Sequence, residues 1–207
     1  LWSRGLGDVY KRQIVSMSIP LQARSGAWQP ALELLEPISL VRCCTSPLGR
    51  NLCMIVTETA VHVYATSDES PNLSFEPVTS FFLGCRATGA SWSPSTQHAS
   101  TAWRIEILVA TETNELRLLE SVRQGSEAST SNKKLADTYA RVTDLAWCAS
   151  PGYESYAAAA CSDGTVRLWD LEGGCRTHYL NSAVLSVAFH PKVPKLLLAM
   201  ESSGVGY

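Results

Sequence analysis

The stretch Ser162-Asp163-Gly164-Thr165-Val166-Arg167-Leu168-Trp169-Asp170 constrains the fold more than any other part of the chain. Asp163-Gly164 makes a tight turn, because Asp bonds its own backbone and Gly takes positive φ at no steric cost. The residues after the turn alternate as a pleated strand does. Val166, Leu168 and Asp170 fall on one side, and Thr165, Arg167 and Trp169 on the other. The strand ends in Trp-Asp.

The rest of the chain repeats this arrangement. Four segments combine an apolar strand, an aromatic residue or Cys, and a Pro shortly after: Leu40 to Pro47, Gly89 to Pro94, Leu145 to Pro151 and Val187 to Pro191. Pro ends each strand because it cannot donate to a ladder. A second apolar run follows each copy, at Leu52 to Thr57, Ile105 to Thr111, Tyr156 to Cys161 and Leu196 to Met200. Third strands come after a short turn, at Val61 to Tyr64, Leu116 to Leu119 and Val166 to Trp169. Each of these puts a basic residue second and apolar residues first, third and fourth. Weaker outer strands are expected at Val78 to Leu83, Leu135 to Tyr139 and Arg176 to Leu180. Two polar insertions, Thr66 to Glu76 and Ser121 to Lys134, interrupt the pattern. The second is too poor in apolar residues to order itself and is expected to be a mobile loop.

A four-strand unit recurring at intervals of roughly 40 to 55 residues, with a strand ending in Trp-Asp, resembles the WD40 repeat. The expected fold is all-β, a WD40-type β-propeller present as an N-terminal fragment of about three and a half blades. Small residues alternating with a large one suit inner strands near the central axis, with Trp92, Trp147 and Phe189 as their core. Propellers typically close four to eight blades into a ring, and an open half-ring exposes unpaired edges. Truncation after Tyr207 is therefore expected. In WD-repeat families a His, a Ser or Thr, a turn Asp and the Trp form a hydrogen-bonded network. Asp163 and Trp169 match two of its members here, and Asp170 is a further structural WD-repeat position. The His is missing, since Tyr139-Ala140-Arg141 precedes Val142, and Ala157 to Ala160 replace the hydroxyl.

The organisation expected along the chain has three parts. Residues 1–13 resemble a translated transposase sequencing adapter, since GAT GTG TAT AAG AGA CAG encodes Asp8 to Gln13. Residues 14–33 form an N-terminal segment, with Met17 as a plausible start, and residues 34–207 form the partial propeller. The formal net charge is -2, with no basic stripe, which argues against direct nucleic-acid binding. Apolar runs are of strand length, which argues against membrane insertion. The seven cysteines show no Cys-x-x-Cys pair, and the four histidines do not cluster with them. Reduced thiols and no metal or other cofactor are expected.

No catalytic constellation is expected either. Neither a Gly-x-Ser-x-Gly elbow nor a Gly-rich phosphate loop is present. His190 ends an inner strand, His62 fills the basic slot of a third strand, and His98 and His178 have no orienting carboxylate. Glu33, Glu36, Asp68 and Glu69 read as solvated loop charges. The expectation is a protein-binding scaffold and not an enzyme.

Phe81-Phe82-Leu83-Gly84-Cys85-Arg86-Ala87-Thr88-Gly89-Ala90-Ser91-Trp92-Ser93-Pro94 resembles the entry into the second blade of the small thirty-seven-kilodalton WD-repeat nucleoporin family. Trp169 to Gly173, Thr177-His178 and Ser186 to Lys192 are similar to its third and fourth blades. The resemblance runs from about Leu34 to Gly204 and is stronger in the second half. It implies a non-catalytic subunit of the Y-shaped outer ring of the nuclear pore, in the nucleus at the nuclear envelope. The partners implied are other nucleoporins, especially a large propeller-plus-solenoid subunit, with visits to kinetochores in mitosis. The alternative is an interaction propeller of another intracellular complex, a ubiquitin-ligase substrate receptor or a histone-tail reader in chromatin.

Overall fold

The computed structural model describes residues 34–67, 74–193 and 195–207. The adapter-like residues 1–13, the segment 14–33, and Asp68 and Glu69 in the first polar insertion lie outside the described residues.

Four antiparallel sheets follow one another along the chain. Blade 1 holds β1 (Leu40–Cys43), β2 (Leu52–Val56), β3 (Ala60–Ser67) and β4 (Ser74–Phe82), paired in that order. Blade 2 holds β5 (Ala87–Trp92), β6 (Gln97–His98), β7 (Ala102–Thr111), β8 (Glu115–Gln124) and β9 (Glu127–Asp137). Its order is β5-β7-β8-β9, with the short β6 paired to β7. Blade 3 holds β10 (Val142–Trp147), β11 (Tyr156–Cys161), β12 (Thr165–Asp170) and β13 (Cys175–Tyr179), and blade 4 holds β14 (Val184–Phe189) and β15 (Leu197–Glu201). These positions match the inner, second and third strands read from the repeat.

The core lies between the blades. Met54, Val61, Val63, Trp92, Ile107 and Val109 pack blade 1 on blade 2. Leu108, Leu116, Leu145, Ala157, Ala159 and Trp169 pack blade 2 on blade 3. Ala158, Ala160, Val166, Val187 and Ala199 pack blade 3 on blade 4. The second strands β2, β7 and β11 are therefore buried on both faces, which explains why they read as continuous apolar runs instead of alternating ones, while β15 keeps one face exposed at Leu198 and Met200. In β11 the odd alanines face blade 2, the even ones face blade 4, and all are fully buried.

The repeat is visible at atomic level. The inner strands β5, β10 and β14 each carry a register shift at their second residue, at Thr88, Thr143 and Leu185. Just before each of these strands, a carbonyl accepts from the end of the second strand's turn. Glu112 N–H donates to Arg86 O, Ser162 N–H to Arg141 O, and Ser202 N–H to Ala183 O. Bulges of this kind raise local twist and aim the strand, as a radial sheet requires. At Gly89 β5 comes close to β10: a Cβ there would sit 3.3 Å from Leu145 Cβ.

The segment Ser121 to Lys134, expected as a mobile loop, is instead the outer hairpin of blade 2. β8 runs on to Gln124 and β9 returns from Glu127, with Ser121 opposite Thr130. Backbone pairing supplies the order that apolar content does not, since an outer strand is half-solvated. Ser121 itself is buried, and its hydroxyl accepts from Trp103 Nε1 at 3.1 Å. Glu36, expected as a solvated charge, ties the chain entering blade 1 to the turn before β3. Its carboxylate accepts from Thr59 Oγ1 at 2.6 Å and Thr59 N–H at 3.1 Å. Hydrogen bonds from Thr57 and Thr59 hold that carboxyl below its ordinary range.

Candidate interaction surfaces

The turn between β11 and β12 is built around Asp163. Its Oδ1 accepts from Thr165 Oγ1 at 2.6 Å and from Thr165 N–H at 3.1 Å. Its Oδ2 accepts from Arg167 Nη2 at 3.1 Å. Arg167 Nε in turn donates to Thr165 Oγ1 at 3.3 Å. Burial raises the Asp163 pKa, but the Thr165 bonds and the Arg167 charge outweigh it and hold the carboxyl below 3.8. Where the WD pattern leads the turn Asp to a His, this Asp is satisfied within its own hairpin. The sequence signal was present in the i, i+2, i+4 spacing of Asp163, Thr165 and Arg167, which a strand places on one face. Gly164 adopts φ +81°, as the tight turn requires. Trp169 is 6% exposed in the core between blades 2 and 3. Asp170 sits at the far end of β12, where its Oδ1 accepts from Glu172 N–H at 3.2 Å.

The inner strands gather at a hub. Trp92 is buried, and its Nε1 donates to Arg42 O of blade 1 at 3.1 Å. Trp147 and Phe189, expected as core, are half-buried. Trp147 lies toward one end of its blade, where Nε1 donates to Glu154 O at 2.6 Å. Phe189 packs at the margin of the core between blades 3 and 4. All three close their inner strands, yet this identical repeat position differs in burial from blade to blade. A polar junction went unread in the sequence. Asp144 Oδ1 accepts from Arg42 Nη2 at 2.8 Å, while Oδ2 accepts from Ser186 Oγ at 3.0 Å and Val187 N–H at 3.1 Å. One carboxylate thus joins the inner strands of blades 1, 3 and 4. No local motif announces it, because its donors lie far apart in the chain.

A groove of about 680 Å³ lies between the outer halves of blades 2 and 3. Trp169 and Leu116 contribute to its lining, together with Leu135 from β9 and Cys175, Thr177 and Tyr179 from β13. Asp163, Trp169 and Asp170, singled out from the sequence as structural positions, all line it. Tyr139 overhangs the groove at 85% exposure, with its backbone at φ 57°, which is strained for a residue other than Gly. Thr138 holds that loop, donating its N–H to Asn114 O and its hydroxyl to Ala140 O. The Arg167 guanidinium lies 5.7 Å from the Tyr139 ring centroid.

Among the described residues no group of His, Cys, Asp and Glu could hold a metal ion. Three of the four histidines serve local structure. His190 Nδ1 accepts from Lys192 N–H and Val193 N–H, closing the loop after β14. His62 Nδ1 meets Ser80 Oγ at 3.0 Å across the β3–β4 pair, and His98 Nδ1 meets Asn51 Nδ2 at 3.0 Å.

Comparison with known proteins fits this geometry. No family model matches the chain. A chain in a crystal structure of the mitotic checkpoint complex superposes with a TM-score of 0.58 at 17% identity, covering 89% of this chain and 56% of that one. Nucleoporin Nup37 of Mus musculus is 29% identical over 133 residues, or 64% of this chain. The human Nup37 is 28% identical over the same length. The chain has the fold of a WD40-type β-propeller and resembles Nup37. The matched stretch spans 39% of Nup37. Activating molecule in BECN1-regulated autophagy protein 1B of Danio rerio is 42% identical, but over 57 residues, 26% of this chain and 4% of that protein.

Proposed function

We propose that the chain is a non-catalytic scaffold subunit of the nuclear pore outer-ring complex, which it supports through protein–protein contacts. Pore assembly, with the mRNA and protein transport that depends on it, is then its cellular role, in the nuclear envelope and at kinetochores in mitosis. The observation that carries this reading is the match to Nup37, which runs through 133 residues and so extends well beyond one repeat. The polar tethers found here support it. Asp163 and Asp144 are each consumed by structural hydrogen bonds, which suits a platform and leaves neither as a free acid or base. The expected partners are other nucleoporins, foremost a large subunit combining a propeller with a helical solenoid.

A second reading is an interaction module of another intracellular complex, such as a ubiquitin-ligase substrate receptor or chromatin reader. The higher identity to the autophagy protein over one short stretch favours it. Affinity capture of the tagged full chain from nuclear-envelope extract separates the two. Outer-ring nucleoporins among the recovered proteins support the scaffold, and cullin adaptors or histones in their place overturn it.

A further inference from the structure

We propose that the groove between blades 2 and 3 is a docking site for an extended, basic segment of a partner protein, which adds as a fifth strand to the free edge of β13. This rests on the propeller architecture and is independent of which complex the protein joins. The first support is the direction of the backbone. Leu180 N–H donates to Gly164 O, and Gly174 O accepts from Asp170 N–H. In an antiparallel ladder a residue's N–H and C=O point the same way, so the even residues of β13 face β12. Cys175, Thr177 and Tyr179 therefore turn their N–H and C=O groups outward. These same residues line the groove, and they pair with Trp169, Arg167 and Thr165, which line it too and so share that face of the sheet. An incoming strand would gain main-chain bonds at the edge and drop alternate side chains into one concavity, as strand addition requires.

The second support is that this edge is less guarded than the others, with Arg176 as its one charged residue other than His178. The outer strand β4 carries Pro77 beside a register shift, and β9 carries Lys133 and Lys134 beside another. Such features block pairing with other chains. β13 pairs with β12 in unbroken register, is exposed along its whole length, and contains no Pro.

Charge decides the chemistry of the occupant. The groove's acids are Asp137, Asp163, Asp170 and Glu172, and its one base is Arg167. Asp163 is paired with Arg167, and Asp137 with Lys134. Asp170 and Glu172, side by side after β12, form no ion pair among the described residues. A Lys or Arg at one end of the segment meets these two carboxylates. Apolar residues that follow at alternate positions meet Leu135, Trp169 and the Tyr139 ring.

The probe is a fluorescein-labelled ten-residue peptide with an Arg pair at one end followed by alternating Leu and Thr, read by anisotropy against the full chain. Thr177→Pro removes an outward N–H while leaving the β12 ladder untouched, and is expected to weaken binding by about tenfold or more. Asp170→Asn with Glu172→Gln keeps the local bonds and is expected to weaken binding several-fold and flatten its salt dependence. Equal binding by a peptide carrying Glu in place of Arg overturns the basic partner. Wild-type affinity in a folded Thr177→Pro chain overturns strand addition. If that variant fails to fold, wild-type affinity in the Asn/Gln variant overturns the proposal by itself.

Discussion

Arg42 and Asp144 stand 102 residues apart in the chain and meet at 2.8 Å, where blade 1 reaches blade 3 across the hub. The two partners are unequal. The Arg42 side chain is 42% exposed and the Asp144 side chain 15% exposed, and Asp144 also serves blade 4.

Removing each partner should therefore have a different effect. Arg42→Ala is expected to cost no more than about 1 kcal/mol, as for other solvated pairs. Asp144→Ala leaves the Val187 N–H and the Ser186 hydroxyl without their acceptor and is expected to cost about 1–3 kcal/mol. Urea unfolding of both variants checks the order. Equal losses would show that the ion pair, and not the link to blade 4, carries the stability.

Trp169→Ala is expected to destabilise the protein by about 3–5 kcal/mol, since it opens a cavity in the layer between blades 2 and 3. The indole is 6% exposed and packs with Leu116, Leu145 and Ala159. A melting temperature within a degree of the parent would place the ring outside the core.

Gly164→Ala should cost about 1–2 kcal/mol from the left-handed backbone alone. The added Cβ would also lie 3.2 Å from Ser182 O, so blade 4 must yield as well. Gly152→Ala provides the control, because its φ is +78° but nothing lies within 4 Å of the new carbon. The difference between the two variants isolates the contact with the neighbouring blade.

Acid should weaken the fold through Asp163 and Glu201. Burial raises the pKa of each, but the hydrogen bonds to each carboxylate outweigh it and both end below their ordinary values of 3.8 and 4.5. Glu201 accepts from Ser203 Oγ, Ser182 Oγ and the N–H groups of Asn181 and Ser182. A depressed folded pKa means the contribution is complete above the unfolded value and fades as pH falls through the lower folded one. Stability is thus expected to hold at neutral pH and to fall below about pH 4.5, progressively to lower pH. Asp163→Asn with Glu201→Gln should flatten that decline in a series of unfolding curves. An unchanged slope would show that these carboxylates are not what acid attacks.

The strands were legible where burial alone dictated sequence. Ile105 to Thr111 and Tyr156 to Cys161 are covered on both faces, so their apolar runs could hardly be anything else. Val166 to Trp169 showed its register through the turn that precedes it. Ser121 to Lys134 misled because its order comes from main-chain pairing, which leaves no compositional trace. Trp92, Trp147 and Phe189 share a repeat position but not a depth, because that position fixes a place in a strand and not its burial. At the groove, Asp163, Trp169 and Asp170 stood out early, while Tyr139, Thr177 and Glu172 did not. Their importance comes from the meeting of two blades and the direction of β13's amides, and neither is written in a local motif.

The alanine strand of blade 3 has a mechanical consequence. With methyl groups directed alternately at two neighbouring layers, this ribbon is a party wall between compartments. A bulkier side chain at Ala158 would push on one neighbour and one at Ala159 on the other, and neither could be absorbed without shifting the shared partition. Substitutions there should be felt on both sides of the wall, so the blades that it separates are not mechanically independent.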